Sequence, residues 1–464
     1  MIPLETINMR QSIAVGLLLG GALCLSANET ISSALAETTI KAQLRSYTLQ
    51  RSYDELVENS AGIFDQQKKS QKISNALGGY FGFESGALYH FSIGSTLYTS
   101  QPIFHNPISE GGLQLLKDDQ DGYGVLGEAF VKWEYDQTIV KVGRQLLSDY
   151  GFLSDNDIRM TPYTYEAAIL ENRDLENIVL RGAYVHGVKT FVSTSYVDFV
   201  NASKVLVRDE TVGRNPLRGD YNPAYYDESN YIGPRKDLYL ASAVYQNNKI
   251  NFEFWNYYSS DFVNFIYVTG SYNFQIGDIA NNLGAQLIKQ DDVGAHVAGS
   301  IDTYVYGVML TSVYDHFTFT YAFNKTKYDE NSLDGGTIID MWGANILYSG
   351  LMYNGSDQGG TTSNAVSIKY DFASYGLSMQ LFAGKFVLPN KLTDIFADQD
   401  NDEYDLIVKY TPRWNKKLQF KIEAAYIDFD TDYNFRAYED LHGFDMLHAY
   451  DNIMDLRFIV NYAF

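Results

Sequence analysis

The chain has a single cysteine, Cys24, and only 9 prolines in 464 residues. Cys24 sits inside the N-terminal apolar segment, with Leu23 where a lipid-anchoring cysteine wants a small residue. Once that segment is removed no thiol remains, so the mature protein is expected to lack disulfides and thiol chemistry. Long apolar runs are also missing. Only Ile13 to Leu25 qualifies, and it is too short to cross a bilayer as a helix. The mean hydropathy is below zero, too polar for a bundle of membrane helices. Cations are in deficit: 35 Lys and Arg against 57 Asp and Glu leave a net charge of −22, which argues against a nucleic-acid partner. No Gly-x-Ser-x-Gly, P-loop or dinucleotide fingerprint appears, and no Pro- or Ser-rich linker divides a chain long enough for about three soluble domains.

What is present is aromatic and glycine-rich: 38 Tyr, 27 Phe and 37 Gly, a mixture that favours strands and turns. Arg10 followed by the Ile13–Leu25 run reads as a secretory signal. Cleavage is expected after Ala27, with Ala36 as the alternative, leaving residues 28–464 as one domain with a short, helical lead at 28–38. That lead leaves no room for the plug of an energy-coupled importer.

The last fourteen residues set the pattern for the rest. Met454, Leu456, Phe458, Val460, Tyr462 and Phe464 occupy alternate positions, opposite Ile453, Asp455, Arg457, Ile459, Asn461 and Ala463. Side chains alternate between the faces of a strand, so one face is greasy and the other mixed and charged. The first strand repeats this, with Ile40, Ala42 and Leu44 opposing Lys41, Gln43 and Arg45; Val131, Trp133 and Tyr135 likewise oppose Lys132 and Glu134. Approximate strands are expected at 39–50, 75–85, 88–99, 125–135, 138–145, 177–187, 190–199, 237–246 and 249–258. Nine more follow at 262–274, 282–290, 300–314, 317–325, 364–371, 375–385, 403–410, 417–429 and 451–464.

Tight turns at Asp136-Gln137, Gly187-Val188-Lys189, Asn247-Asn248, Asp315-His316 and Phe372-Ala373-Ser374 alternate with long polar stretches. Those are 51–74, 100–124, 146–176, 200–236, 326–363, 386–402 and 430–450. About eighteen strands so connected define an all-β fold: a transmembrane antiparallel β-barrel with short periplasmic turns and long extracellular loops. An aromatic patch between Met341 and Tyr353 leaves the count open by two. Lipid touches only alternate residues, so the hydropathy limit does not apply. A lipid-facing charge at mid-membrane costs roughly 2–4 kcal/mol, which turns strand cations inward toward a water-filled lumen. Phe458, Tyr462 and Phe464 are then candidates for the terminal signal read by barrel-assembly machinery.

Chemistry concentrates after the fifth strand, where Lys141-Val-Gly-Arg144-Gln145 leads into 146–176. Within it stands Asn156-Asp157-x-Arg159-Met160-x-Pro162-x-Thr164-Tyr165. This element, with Gln43-Leu44-Arg45-Ser46-Tyr47 in the first strand and a terminal Phe, resembles the OprD-type substrate-specific outer-membrane porins. The resemblance implies a bacterial outer-membrane location and a loop folded into the barrel. It also implies inward basic residues that guide small carboxylate-bearing solutes, with Arg159 as the motif arginine and Asn156 and Asp157 as its polar neighbours. The sequence alone reaches a similar place, since a fixed cation beside a carboxylate in a narrowed pore favours anionic or zwitterionic solutes. Further inward candidates are Lys41, Arg45, Lys132, Lys141, Arg144 and Arg181. Lys141 and Arg144 fall on opposite faces of a regular strand; Lys141 is expected in the lumen, and Arg144 turned into the loop at the strand end.

The expected function is a passive diffusion channel for small hydrophilic solutes, without cofactor or metal. Its surroundings would be outer-membrane lipid and lipopolysaccharide, and its state monomer or homotrimer. His442 and His448 are too loosely spaced in a loop for a metal site. Asp398, Asp400 and Asp402 lack the glycine of a calcium loop, with Glu403 in its place. The alternatives are a barrel hydrolase recruiting His442 or His90 near the outer rim, and an adhesin or receptor using the acidic loops.

Overall fold

The computed structural model describes residues 30–58, 64–104, 113–117, 119–203, 233–339, 346–354, 356–388, 400–429 and 449–464. The expected signal segment, His442 and His448, and Asp398 lie outside them. A short helix, α1 (Ile31–Ala36), is capped by the Thr30 side chain, which accepts from the Ser33 amide, and leads into the sheet.

The sheet has eighteen antiparallel strands. They are β1 (Thr39–Glu58), β2 (Phe64–Glu84), β3 (Phe91–Pro102), β4 (Tyr123–Tyr135), β5 (Thr138–Gln145) and β6 (Thr164–Asn172). Then come β7 (Ile178–Lys189), β8 (Leu238–Gln246), β9 (Ile250–Ser259), β10 (Val263–Ile276), β11 (Ile279–Asp292) and β12 (Asp302–Tyr314). The ring is completed by β13 (Phe317–Thr326), β14 (Thr362–Phe372), β15 (Leu377–Val387), β16 (Asn401–Tyr410), β17 (Leu418–Phe429) and β18 (Ala449–Ala463). Each strand pairs with its sequence neighbours, and β18 pairs with β1 in a register from Gln43 opposite Ala463 to Leu56 opposite Ala449, which removes both sheet edges.

The two-face alternation holds on the closing strand. Met454, Leu456 and Phe458 are 39–49% exposed on the outside, whereas Asp455 and Arg457 are 0% and 4% exposed on the inside. Ile40 and Leu44 face out from β1 and Val131 and Tyr135 from β4, while Arg45 is buried within. Near the outer ends of the strands the same phase presents Tyr304 and Tyr306 on β12 and Tyr404 on β16, aromatic bodies with polar tips suited to the membrane interface.

The expected strand total stands, but one strand was misplaced. Residues 190–199 form no strand; the segment crosses the rim, held by a single bridge between Val188 and Val197, and ends at α2 (Phe199–Ala202). The missing strand is β6, which lies inside the expected loop 146–176 and pairs along β5 and β7. Gly187–Lys189 is therefore the end of β7, and the tight β6–β7 turn is 173–177. Nor is 51–74 a long loop. β1 and β2 stay paired from Thr39–Glu84 to Glu58–Phe64. Of the patch between Met341 and Tyr353, residues 341–345 lie outside the described residues, and the rest contributes no strand and folds inward.

Candidate functional site

The segment joining β5 to β6, residues 146–163, leaves the wall and enters the barrel. Phe152 packs edge-on against Phe265 of β10 (4.2 Å between ring centroids) and lies near Tyr257 of β9. The Tyr257 hydroxyl accepts from the Phe152 amide (3.0 Å) and donates to the Tyr150 carbonyl (2.9 Å). Gly151 between them has φ +65°, and a Cβ there would fall 2.1 Å from that hydroxyl, so only glycine makes this corner. Five residues later Asp157 accepts two hydrogen bonds from Arg45 on β1, at 2.6 and 2.7 Å. β10 and β1 are nine strands apart in a closed ring of eighteen, hence on opposite walls. Five residues reach at most roughly 17 Å, and a barrel of this size is on the order of 35 Å across. The segment is therefore a strap across the lumen, with long side chains completing the span at each end.

Arg45 is the strap's main anchor. Besides Asp157 it donates to the Arg159 carbonyl (2.6 Å) and, through Nε, to Asn461 of β18 (2.9 Å). Tyr47 donates to the Ile158 carbonyl (3.2 Å). Asn156, with φ +40°, makes the bend that presents Asp157. At the strap's far end Lys189 is 1% exposed and donates to Thr161 Oγ1, the Pro162 carbonyl and the Phe191 carbonyl at 2.7–3.1 Å. Met160 joins Leu113, Leu115 and Leu116 of the β3–β4 connection against Tyr47, Leu49, Ala76 and Ile459, so a second inserted segment backs the first.

Arg159 is buried over the Phe191 ring (5.5 Å), and its Nε has no hydrogen-bond partner among the described residues. Burial foremost, then Arg457, lowers its hold on the proton, although a guanidinium stays charged in any case. Burial also raises the Asp155 carboxyl above its ordinary value, and neighbouring Asp157 adds to the rise. Around Arg159 stands a charged group on β1, β17 and β18. Asp455 accepts from Arg51 (3.0 Å) and from Arg457 (2.6 Å), and Arg457 reaches Glu423 (3.4 Å), which also pairs with Lys421.

The sequence candidates divide into three groups. Arg45, Asn156, Asp157 and Arg159 meet at the strap. Lys41, Lys132 and Lys141 gather on the inner face of β1, β4 and β5: Lys41 pairs with Glu128 (2.7 Å), Lys132 with Glu84 (2.6 Å), and Lys141 lies over Phe130 (3.7 Å). Arg181 pairs with Glu171 (2.7 Å) and lies beside Tyr150 at the strap's root. Arg144 stands apart. It shares its phase with Val142, which is 51% exposed on the outer wall, and pairs with Glu166 (3.0 Å) under Tyr196 rather than turning into the loop. Sequence reasoning missed Arg51, Glu423, Asp455 and Arg457. For the last two the clue was the charged face of the closing strand itself.

Sequence reasoning also missed a third inward segment, the tip at 346–354 between β13 and β14. Tyr348 bonds Thr269 of β10 (2.7 Å), Ser349 bonds Asn324 of β13 (2.8 Å), and the Met352 amide donates to Asp405 of β16 (3.1 Å). Tyr353 donates to Asp455 (2.8 Å) and its ring lies under Arg51 (4.9 Å). The tip thus lies along the inner wall from β10 round to β1, facing the strap.

A closed eighteen-strand barrel, greasy outside and charged within, crossed by a strap, is a substrate-specific channel of the bacterial outer membrane. A family model described as "outer membrane porin, OprD family" matches residues 112–411, and the chain belongs to that family. Solved structures with the same fold include Pseudomonas aeruginosa OpdK with vanillate (17% identity, 93% of this chain and 99% of that one, TM-score 0.67). Pseudomonas aeruginosa OccK9 (OpdG) gives 17% identity, the same coverage and a TM-score of 0.69. Acinetobacter baumannii OccAB2 gives 16% identity over 93% and 99%, with a TM-score of 0.68. No curated protein sequence matches the chain.

Proposed function

We propose that this porin admits small carboxylate-bearing solutes, zwitterions included, past a selectivity point at Arg159. The observation that carries this is the cation group at the strap, Arg159 on the inserted segment together with Arg51 and Arg457 on the wall, whose own carboxylate partners are Asp455 and Glu423. Fixed guanidinium charge at the strap attracts a passing carboxylate, while the neighbouring acids keep the lumen from trapping it. That one relative is described with vanillate, itself a carboxylate, agrees with this reading. Passage is passive diffusion and needs no cofactor. The hydrolase alternative loses one of its histidines: His90 lies in the β2–β3 turn against Tyr135 (4.9 Å), at the end of the barrel opposite the long loops. In planar bilayers the protein should form open pores with a measurable anion contribution, and Arg159→Ala should move the reversal potential toward cations. An unmoved reversal potential would remove Arg159 from the filter, and folded protein without conductance would overturn the channel reading as a whole.

A further inference from the structure

The tip is held by an arrangement that nothing in the strap resembles. Its backbone turns back at Leu351, whose amide donates to the Asn354 carbonyl (2.9 Å), so the amides of Met352, Tyr353 and Asn354 point together out of the turn. Successive N–H groups of this kind form a cup for anions. The cup is filled from the wall. Glu403 accepts from the Tyr353 amide (2.8 Å), the Asn354 amide (2.9 Å) and the Asn354 side chain (2.5 Å), and Asp405 accepts from the Met352 amide (3.1 Å). Both acids are on the lumen phase of β16, at 0% and 3% exposure.

Glu403 and Asp405 stand two residues apart on one face, close enough for their carboxyl groups to hydrogen-bond each other. The wall thus holds the turn through four hydrogen bonds, three of them on Glu403, so the grip of the tip on β16 hangs on two side chains. What it positions is Tyr353, which covers Arg51 and shares Asp455 with it, one step from Arg457 in the group around Arg159.

We propose that Glu403 and Asp405 are a positioning pair: a carboxylate latch that holds the 346–354 tip against β16 and so sets the open width of the channel beside Arg159. This rests on the channel reading above, but its test separates the two. Single-channel recordings would compare wild type with Glu403→Gln, Asp405→Asn and the double variant, each checked for a folded barrel by its heat-modifiable gel mobility. In a second readout Ser349, which is 0% exposed in the docked tip, is replaced by cysteine and its labelling by a water-soluble thiol reagent is timed. Occupancy of a higher-conductance level should rise about tenfold in the double variant and less in each single one, as charge-assisted hydrogen bonds become neutral. Labelling at position 349 should accelerate in parallel. Unchanged conductance and unchanged labelling in folded double variant would overturn the latch and leave the channel standing. Labelling needs no current through the pore, so it tests the latch even where the channel reading fails.

Discussion

The strap at 146–163 and the tip at 346–354 enter the same lumen and are fastened by opposite means. The strap brings its own side chains to the wall: Phe152 into aromatic packing on β9 and β10, and Asp157 onto Arg45. The tip brings chiefly backbone, and the wall supplies the charge through Glu403 and Asp405. A segment anchored by apolar rings and a cation–carboxylate fork has little reason to move. One whose grip on β16 rests on hydrogen bonds to two acids is easier to release by substitution in the wall. With the proposed latch, the same barrel would carry a firm segment and a releasable one, on facing sides of the lumen.

Three substitutions would break or sharpen that contrast. The largest effect is expected from Phe152→Ala, because truncating a fully buried ring costs about 3–5 kcal/mol of packing. The strap should leave β10, and single-channel conductance should rise with frequent switching; a wild-type trace would show that the Tyr257 hydrogen bonds suffice alone. Arg45→Met comes next. It removes three hydrogen bonds at the strap, but Asp157 is half-exposed and water takes up part of the loss, so about 1.5–3 kcal/mol is expected. It also deletes a lumen cation, so the reversal potential should shift toward cations, and an unshifted value would limit Arg45 to holding the strap. The smallest change is Tyr353→Phe, which takes one hydrogen bond from the tip, about 1 kcal/mol, and should add only current noise. If its effect exceeded that of Arg45→Met, the strap would not be the firmer of the two segments.

The same contrast explains which parts could be read in advance. Asp157 and Arg159 lie within a recognisable loop motif, and the Asp157 side chain does the fastening to Arg45, so the residue types announced the strap. The tip shows only a patch of aromatics, and its attachment to β16 is made chiefly by backbone amides that every residue possesses. β6 was hidden for a related reason. In Thr164–Asn172 four apolar residues, Ala167 to Leu170, run together and erase the alternation that marks a half-buried strand. Residues 190–199, rich in β-branched and aromatic side chains, have the propensity of a strand. They are drawn across the rim instead, where Lys189 binds the Phe191 carbonyl and Val197 pairs back on Val188.

By itself the sequence determined the wall. A period of two, repeated with lipid outside and water inside, leaves each residue only one tolerable side, and the closing strand from Met454 to Phe464 is decided by that rule alone. It also singled out Arg159 through the loop motif that surrounds it. Only the tertiary structure decided what surrounds Arg159, because Arg51, Asp455 and Arg457 reach it from β1 and β18, strands at opposite ends of the chain that meet only when the ring closes. Closure converts the charged inner face of the last strand into part of the pore, and no local pattern contains that contact.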